Sequence, residues 1–153
     1  MRIPAALCLV LAGCASAPPP AGPVPLRNPT AQIASQLDAT PDRLAGDWIV
    51  VQGAGLEPGT RIRIATDQLR VETVDGTMIT SFTSLGQGRF QTEEGALWVH
   101  WIDISDRTAA LGDPGGARVW IMDRAATSSP DRLKVAREIL DWYGYDLSRV
   151  MAP

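Results

Sequence analysis

The stretch from Ala96 to Arg124 constrains the fold of this chain more than any other part of its sequence. It contains three consecutive strand-forming runs: the almost continuously apolar Leu97–Ile102, the small-residue run Thr108–Leu111, and the β-branched and aromatic run Val119–Met122. A Gly-Asp-Pro-Gly-Gly turn separates the last two, and its residues tolerate positive φ or fix φ. The pattern predicts a meander of antiparallel strands that ends at Arg124. Because the runs are apolar on both faces, this sheet needs cover on both sides.

The length and charge of the chain limit what it can be. With 153 residues it has room for one domain and a targeting segment. Its formal net charge of −3 argues against nucleic acid as a partner. The two cysteines, Cys8 and Cys14, lie close to the N-terminus. We therefore expect the folded part to contain no disulfide, no Cys-x-x-Cys metal site and no thiol nucleophile.

The first residues have the features of a secretory signal. Met1-Arg2 is a minimal positive region, and the apolar run Ala5–Ala12 is far shorter than the roughly 20 residues that a membrane-spanning helix needs. The run ends in Leu-Ala-Gly-Cys14, which matches the bacterial lipoprotein signal, whose cysteine is lipidated and becomes the new N-terminus. We predict that residues 1–13 are a lipoprotein signal peptide and that Cys14 carries acyl chains. The alternative is an ordinary signal peptide with incidental cysteines.

The residues after Cys14 predict an anchored protein held away from the lipid. Ala15 stands where enteric bacteria place an Asp that retains lipoproteins in the inner membrane, so that resemblance implies the outer membrane, with the protein facing the periplasm. Two or more acyl chains hold a protein stably at a membrane. Residues 14–29 are rich in proline and predict an extended tether of roughly 45 Å, at about 3.1 Å per residue. Residues 30–43 form a lead-in segment, in which Thr30–Leu37 is expected to make a turn or two of helix.

The rest of the chain, residues 44–153, predicts an all-β domain with one helix. Alternating apolar residues and turn signals such as Asp75-Gly76 give eight strands: Trp48–Gln52, Thr60–Ala65, Gln68–Thr73, Thr77–Thr83, Arg89–Thr92, Leu97–Ile102, Thr108–Leu111 and Val119–Met122. Eight antiparallel strands can close into a small up-and-down barrel, whose interior is filled by side chains or holds one small ligand.

The clearest helix is predicted over Ser129–Tyr143. Ser129 is expected to cap it, Pro130 suits the first helical position, and Gly144 ends it. Its apolar residues recur at helical spacing and form one stripe. Because this stripe and the doubly apolar strand Leu97–Ile102 both need cover, we expect the helix to pack on the outside of the barrel.

Two short motifs at opposite ends of the barrel sequence resemble the lipocalin family, in particular its bacterial outer-membrane lipoprotein branch related to apolipoprotein D. Gly46-Asp47-Trp48 opens the first strand, and Trp120-Ile121-Met122-Asp123-Arg124 closes the last. Gly144-Tyr145-Asp146 is similar to the family's segment after the C-terminal helix. The resemblance implies that Trp48 lies at the closed end of the barrel and that Arg124 packs across it, a cation–π contact. Asp106 replaces the family's usual tyrosine, so the packing at that end must differ.

The candidate ligand-binding residues are Trp98, His100, Trp101 and Trp120. Strand alternation puts Trp98 and His100 on one face and Val99 and Trp101 on the other, without deciding which face points inward. His100 has no recognisable nucleophile nearby, so we interpret it as a hydrogen-bonding residue of the barrel. We expect no enzymatic activity, no cofactor and no metal site.

These observations lead to one functional expectation and one alternative. The expected protein is anchored to the outer membrane through Cys14 and binds a small hydrophobic ligand, a fatty acid or lysophospholipid, by burying acyl surface. The alternative is a filled barrel that acts through protein–protein contacts, as a protease inhibitor would. An open lumen favours the first and a packed lumen favours the second, and the short first loop, Gly53–Gly59, leaves the size of the lumen open.

Overall fold

The computed structural model describes residues 23–153, which form one antiparallel sheet curled into a nearly closed barrel with a helix on its outside. The predicted signal peptide, the lipidation site Cys14 and the start of the tether lie outside the described residues. The strands are β1 Gly46–Ala54, β2 Arg61–Ile64, β3 Gln68–Thr73, β4 Gly76–Ser81, β5 Thr83–Gly86, β6 Arg89–Thr92, β7 Gly95–Ile102, β8 Thr108–Gly112 and β9 Val119–Asp123. Their order in the sheet is β4-β3-β2-β1-β9-β8-β7-β6-β5.

The barrel has nine strands instead of the predicted eight, because the fourth predicted strand is divided at Phe82. The fully buried Phe82 turns its side chain into the interior. The chain bends there, so that β4 pairs with β3 while β5 pairs with β6. Across the remaining gap, the backbone N–H of Glu93 donates a hydrogen bond to Thr80 Oγ1 at 3.1 Å. The sheet is thus joined into a barrel by a bent strand and a side-chain contact.

The interior of the barrel is filled by apolar side chains. Phe82 and Phe90 stack there with their ring centroids 4.2 Å apart. The side chains that point inward are at most 3% exposed, and a void large enough for water would leave them partly accessible: Trp48, Val50, Ile62, Ile64, Leu69, Val71, Phe82, Phe90, Leu97, Val99, Leu111, Trp120 and Met122. The lumen is therefore packed and not open.

A second apolar cluster lies outside the barrel, under the C-terminal helix. This helix, α2, spans Pro130–Trp142, so the predicted helix and its place on the outer surface are confirmed. Ala136 and Leu140 are fully buried against the outer face of β8 and β9. Ser129 occupies the capping position but its side chain makes no capping hydrogen bond, contrary to the prediction.

The lead-in segment contains no helix over Thr30–Leu37, so that prediction is wrong. Strand β7 has a register shift against β8 between Val99 and Trp101, and on its other edge, beyond the end of β6, the lead-in segment supplies hydrogen-bond partners. Gln36 N–H donates to the carbonyl oxygen of Val99 at 2.8 Å, and Gln36 Oε1 accepts from Ile102 N–H at 2.7 Å. The first helix, α1, is a single turn at Pro41–Leu44.

The packed domain begins earlier in the chain than the predicted end of the tether at residue 29. Leu26 and Arg27 are both buried. Leu26 N–H donates to the carbonyl oxygen of Gly116 at 2.7 Å, and its own carbonyl accepts from Asp146 N–H at 2.7 Å. Arg27 Nε donates to the carbonyl oxygen of Tyr143 at 2.8 Å. The segment after Pro25 is therefore part of the folded domain.

Candidate functional site

One end of the barrel is closed by Arg124 and Trp48. The Arg124 guanidinium carbon lies 3.6 Å from the centroid of the Trp48 ring, and Trp48 Nε1 donates to the carbonyl oxygen of Leu44 at 2.7 Å. Arg124 also donates to three backbone carbonyl oxygens, each at 3.1 Å: those of Arg43, Asp47 and Asp106. The expected contact of these two family-motif residues is present, and it seals this end.

Gly46 and Asp106 fit around that contact. Gly46 has a φ of +102°, and a Cβ added to it would lie 3.1 Å from Arg124 Nη1, so glycine leaves room for the guanidinium. Asp106 adopts a φ of +54° and accepts from Arg43 Nε at 2.7 Å. This position, where the resemblance leads us to expect tyrosine, therefore carries an ion pair at the rim.

The opposite end, the mouth of the barrel, is covered by Arg118. Its guanidinium carbon lies 5.9 Å from the centroid of the Trp120 ring, and its side chain is only 14% exposed. Arg118 donates from Nη2 to Thr92 Oγ1 at 3.0 Å and forms an ion pair with Glu94. Burial lowers the pKa of Arg118. Leu56, on the loop after β1, packs against the interior from the same end.

Two buried N–H donors at the mouth have no hydrogen-bond partner among residues 23–153. They are Trp120 Nε1 and Arg118 Nε. Leaving a buried donor unpaired costs about 1–3 kcal/mol, so such groups in a native structure call for an explanation. The indole N–H of Trp120 and the Nε–H of the buried Arg118 guanidinium are both suited to an anionic oxygen.

Of the four predicted ligand-binding residues, only Trp120 points into the barrel. Trp98 and His100 lie outside and Val99 points inward, whereas the register shift in β7 turns Trp101 outward as well. Trp98 lies under the guanidinium of Arg89, 4.4 Å from ring centroid to Cζ. Trp101 belongs to the outer cluster beneath α2. The predicted alternation therefore holds for Trp98, Val99 and His100 and is wrong for Trp101.

His100 is buried between the lead-in segment and the C-terminal segment. Its Nδ1 lies 2.8 Å from the carbonyl oxygen of Ala34, its Nε2 lies 2.9 Å from Tyr145 Oη, and Tyr145 Oη lies 2.8 Å from the carbonyl oxygen of Asp113. A neutral imidazole and a phenol supply two protons for these three contacts, whereas an imidazolium would supply three. Burial, together with the nearby charge of Arg27, lowers the pKa of His100 to about 4. Near neutral pH the network is therefore one proton short.

Sequence reasoning missed Arg118, the charged residue of the mouth. It immediately precedes a buried strand, and nothing local distinguishes it from the other arginines of the chain. Its position depends on the β6–β7 turn, which supplies Thr92 and Glu94 from a distant part of the sequence.

Neither a metal-binding cluster nor a membrane-spanning helix is present among the described residues. Within 23–153, no group of three or more His, Cys, Asp or Glu side chains is arranged to hold a metal ion. No helix in that range is long and apolar enough to cross a membrane.

Comparisons with known proteins identify the fold. No family model matches the chain, and no curated protein matches it. Among solved structures, lipocalin 12 from rat epididymis is 14% identical, with a TM-score of 0.61 over 86% of this chain and 93% of that one. The odorant-binding protein OBP1 is 14% identical, with a TM-score of 0.56 over 76% and 94%.

A third solved structure agrees with these two. The siderocalin Ex-FABP is 19% identical, with a TM-score of 0.53 over 72% of this chain and 93% of that one. Sequence identities this low establish the architecture alone. The barrel, its sealed end and its external helix therefore give this chain a lipocalin fold.

Proposed function

We propose that this chain is a lipid-anchored protein of the bacterial envelope that binds one small hydrophobic ligand with an anionic head group, a fatty acid or a lysophospholipid. The observation that carries the proposal is the pair of unpaired buried donors, Trp120 Nε1 and Arg118 Nε, at the mouth of an apolar barrel. A carboxylate or phosphate group at the mouth would accept from these donors and would compete with Glu94 for the Arg118 guanidinium. Two structural neighbours, a siderocalin with dual ligand specificities and an odorant-binding protein, also support a binding role.

Ligand entry would require a movement, because the interior is packed. Leu56 is the partly buried side chain that covers the mouth from the loop between β1 and β2. Behind this loop is a cleft of about 590 Å³, which is lined on its other side by residues 72–75. An outward shift of the loop into this cleft would expose the donors and part of the apolar interior. Acyl burial at about 25 cal/mol per Å² would then drive binding.

The anchor is the second part of the proposal. Lipidation of Cys14 would place the protein at the outer membrane, where lysophospholipids and fatty acids arise from the lipids of the bilayer. The proposal is one of binding and not of catalysis: the site offers hydrogen-bond donors and a cation, which hold an anion without changing it.

A second candidate is favoured by one observation. Since the inward side chains are at most 3% exposed, the barrel as it stands could be a rigid scaffold that acts through protein contacts on its surface. The two candidates differ in whether the interior ever opens.

Tryptophan emission can separate the two candidates. The fragment 23–153 contains all the contacts described here, including those of Leu26 and Arg27, and it would be titrated with a long-chain fatty acid and with the alcohol of the same chain length. We expect saturable binding of the acid and weaker binding of the alcohol, which lacks the anionic head. A folded fragment that binds neither compound would overturn the binding proposal in favour of the scaffold.

A variant connects the binding to the mouth. Trp120→Phe keeps an aromatic ring and removes one donor, so we expect it to weaken binding of the acid about tenfold, or ~1.4 kcal/mol, and to leave the alcohol unaffected. Arg61→Gln is the control, because Arg61 is an exposed arginine that borders the same cleft on the outside of the barrel. Equal losses for acid and alcohol in Trp120→Phe would mean that Nε1 does not meet the head group.

A further inference from the structure

The described chain begins at the mouth of the barrel. The segment from Val24 to Leu26 lies against the turn between β8 and β9, where Leu26 N–H donates to the carbonyl oxygen of Gly116. Arg149 Nη1 donates hydrogen bonds to the carbonyl oxygens of Val24 and Pro25, each at 3.1 Å. These contacts fix the position of Val24 at the mouth.

The length of that segment limits how the domain can lie relative to a membrane. Nine residues lie between Cys14 and Val24, so ten Cα–Cα spacings of about 3.1 Å give a reach of roughly 31 Å. Strand β1 has nine residues, and its eight spacings of about 3.3 Å put the sealed end roughly 26 Å beyond the mouth. The mouth can touch the bilayer at any extension of the segment, whereas the sealed end can touch it only when most of that reach is used.

The mouth also carries exposed apolar side chains. Val74, at the tip of the turn between β3 and β4, is 94% exposed, Val24 is 75% exposed, and Met151, which is bridged to Gly53 at the end of β1, is 48% exposed. The sealed end has exposed apolar residues as well, with Ile104 97% exposed. Exposure by itself therefore does not choose between the ends, whereas the point of attachment does.

We propose that the mouth of the barrel rests on the surface of the membrane through Val24, Val74 and Met151, and that the site at Arg118 and Trp120 takes its ligand directly from the bilayer. This inference rests on the proposed anchor at Cys14 and on the proposed ligand site. The partner is a lipid surface, which the three apolar side chains would contact. Glu57 and Asp75, which border the cleft beside the β1–β2 loop, would stay among the hydrated head groups.

The cysteine content of the chain makes the orientation measurable. Cys8 belongs to the signal peptide and Cys14 is consumed by lipidation, so an introduced cysteine is unique in the mature protein. Val74→Cys and the matched Ile104→Cys would be made in the lipidated full chain, labelled with nitrobenzoxadiazole, and reconstituted in vesicles of phosphatidylethanolamine and phosphatidylglycerol. We expect doxyl-labelled lipids to quench the label at position 74 and not the label at 104. Quenching at both, at neither, or only at 104 would overturn the proposed orientation.

A functional readout tests the consequence for loading. Val24→Asp should slow transfer of a fatty acid from vesicles to the protein by several-fold and leave its affinity in solution unchanged, while Ile104→Asp should change neither. Equal transfer rates for the two variants would overturn direct loading.

Failure of the underlying proposals would look different. If the fragment 23–153 binds no ligand in solution, the proposed ligand site is wrong. If the full chain is not retained on membranes, the proposed anchor is wrong. If both survive and position 74 is not quenched, only the orientation is wrong.

Discussion

The guanidinium of Arg124 stacks on the indole of Trp48 and holds three backbone carbonyl oxygens at the same time. Arg124→Ala would leave these groups without their partner, and we expect a loss of about 2 kcal/mol in the free energy of unfolding, measured by urea denaturation. Arg63→Ala is the control, because Arg63 pairs with Asp47 at an exposed site and its loss should be much smaller. Equal losses would argue against a special role for the stacked arginine.

Gly46 is predicted to be required by the same contact. Gly46→Ala and Gly76→Ala both place a side chain at positive φ, but only the first also presses a Cβ against Arg124 Nη1, since nothing lies within 4 Å at Gly76. We expect Gly46→Ala to be the more destabilising by about 1 kcal/mol. In an Arg124→Ala background this difference should disappear, and its persistence would contradict the steric explanation.

The buried His100 should make stability depend on pH. Its pKa is about 4 in the folded protein and 6.5 when exposed, so the unfolded chain binds the extra proton more readily. Stability is therefore complete above about pH 6.5 and falls as the pH drops toward 4, by up to about 3 kcal/mol. His100→Gln should reduce this slope. A histidine NMR titration gives the pKa directly, and a value above 6.5 would mean that the three hydrogen bonds of the imidazolium outweigh burial.

Phe82 is the residue at which the strand bends, and it fills the interior. Phe82→Ala should destabilise the protein by about 3–5 kcal/mol, because it removes a stacked ring from a packed barrel. The control is Leu85→Ala in the neighbouring strand β5, since Leu85 is 64% exposed and should be nearly neutral. Thermal unfolding of both variants tests this, and a mild effect of Phe82→Ala would indicate that the interior is loosely filled.

Cys14 is expected to determine where the protein is found. Cys14→Ala should release the protein from membranes and abolish incorporation of labelled palmitate, because the acyl chains supply the membrane affinity. Cys8→Ala lies six residues upstream, within the predicted signal peptide, and should leave both unchanged. Membrane retention of Cys14→Ala would contradict lipidation at this residue.

The sequence predicts the parts of the fold that depend on local patterns. Alternation and turn residues are enough to place the strands, and the helical spacing of Ala136 and Leu140 places α2 on the outer wall. The register shift between Val99 and Trp101 could not be predicted, because it depends on pairing with β8 and on contacts with Gln36, both distant in the sequence. This irregularity turns Trp101 outward, whereas Trp98 and His100 lie outside through the ordinary alternation of the strand.

The role of Arg118 at the mouth could not be predicted from the sequence for the same physical reason. Arg118 can be buried because Thr92 and Glu94, on another turn, accept hydrogen bonds from its guanidinium. The division at Phe82 likewise depends on which strands lie beside it once the barrel curls. Contacts of this kind are properties of the closed sheet and leave no local signal in the sequence.

The pairing of Leu26 with Gly116 and Asp146 also has a mechanical consequence. If the protein is anchored through Cys14, any force exerted through the anchor acts on the domain at this segment. The load would fall first on the bonds of Leu26 and Arg27 to the β8–β9 turn and the C-terminal segment, and the strands of the barrel would carry tension only after those bonds had broken. The docked segment would thus act as a strain relief between the anchor and the barrel.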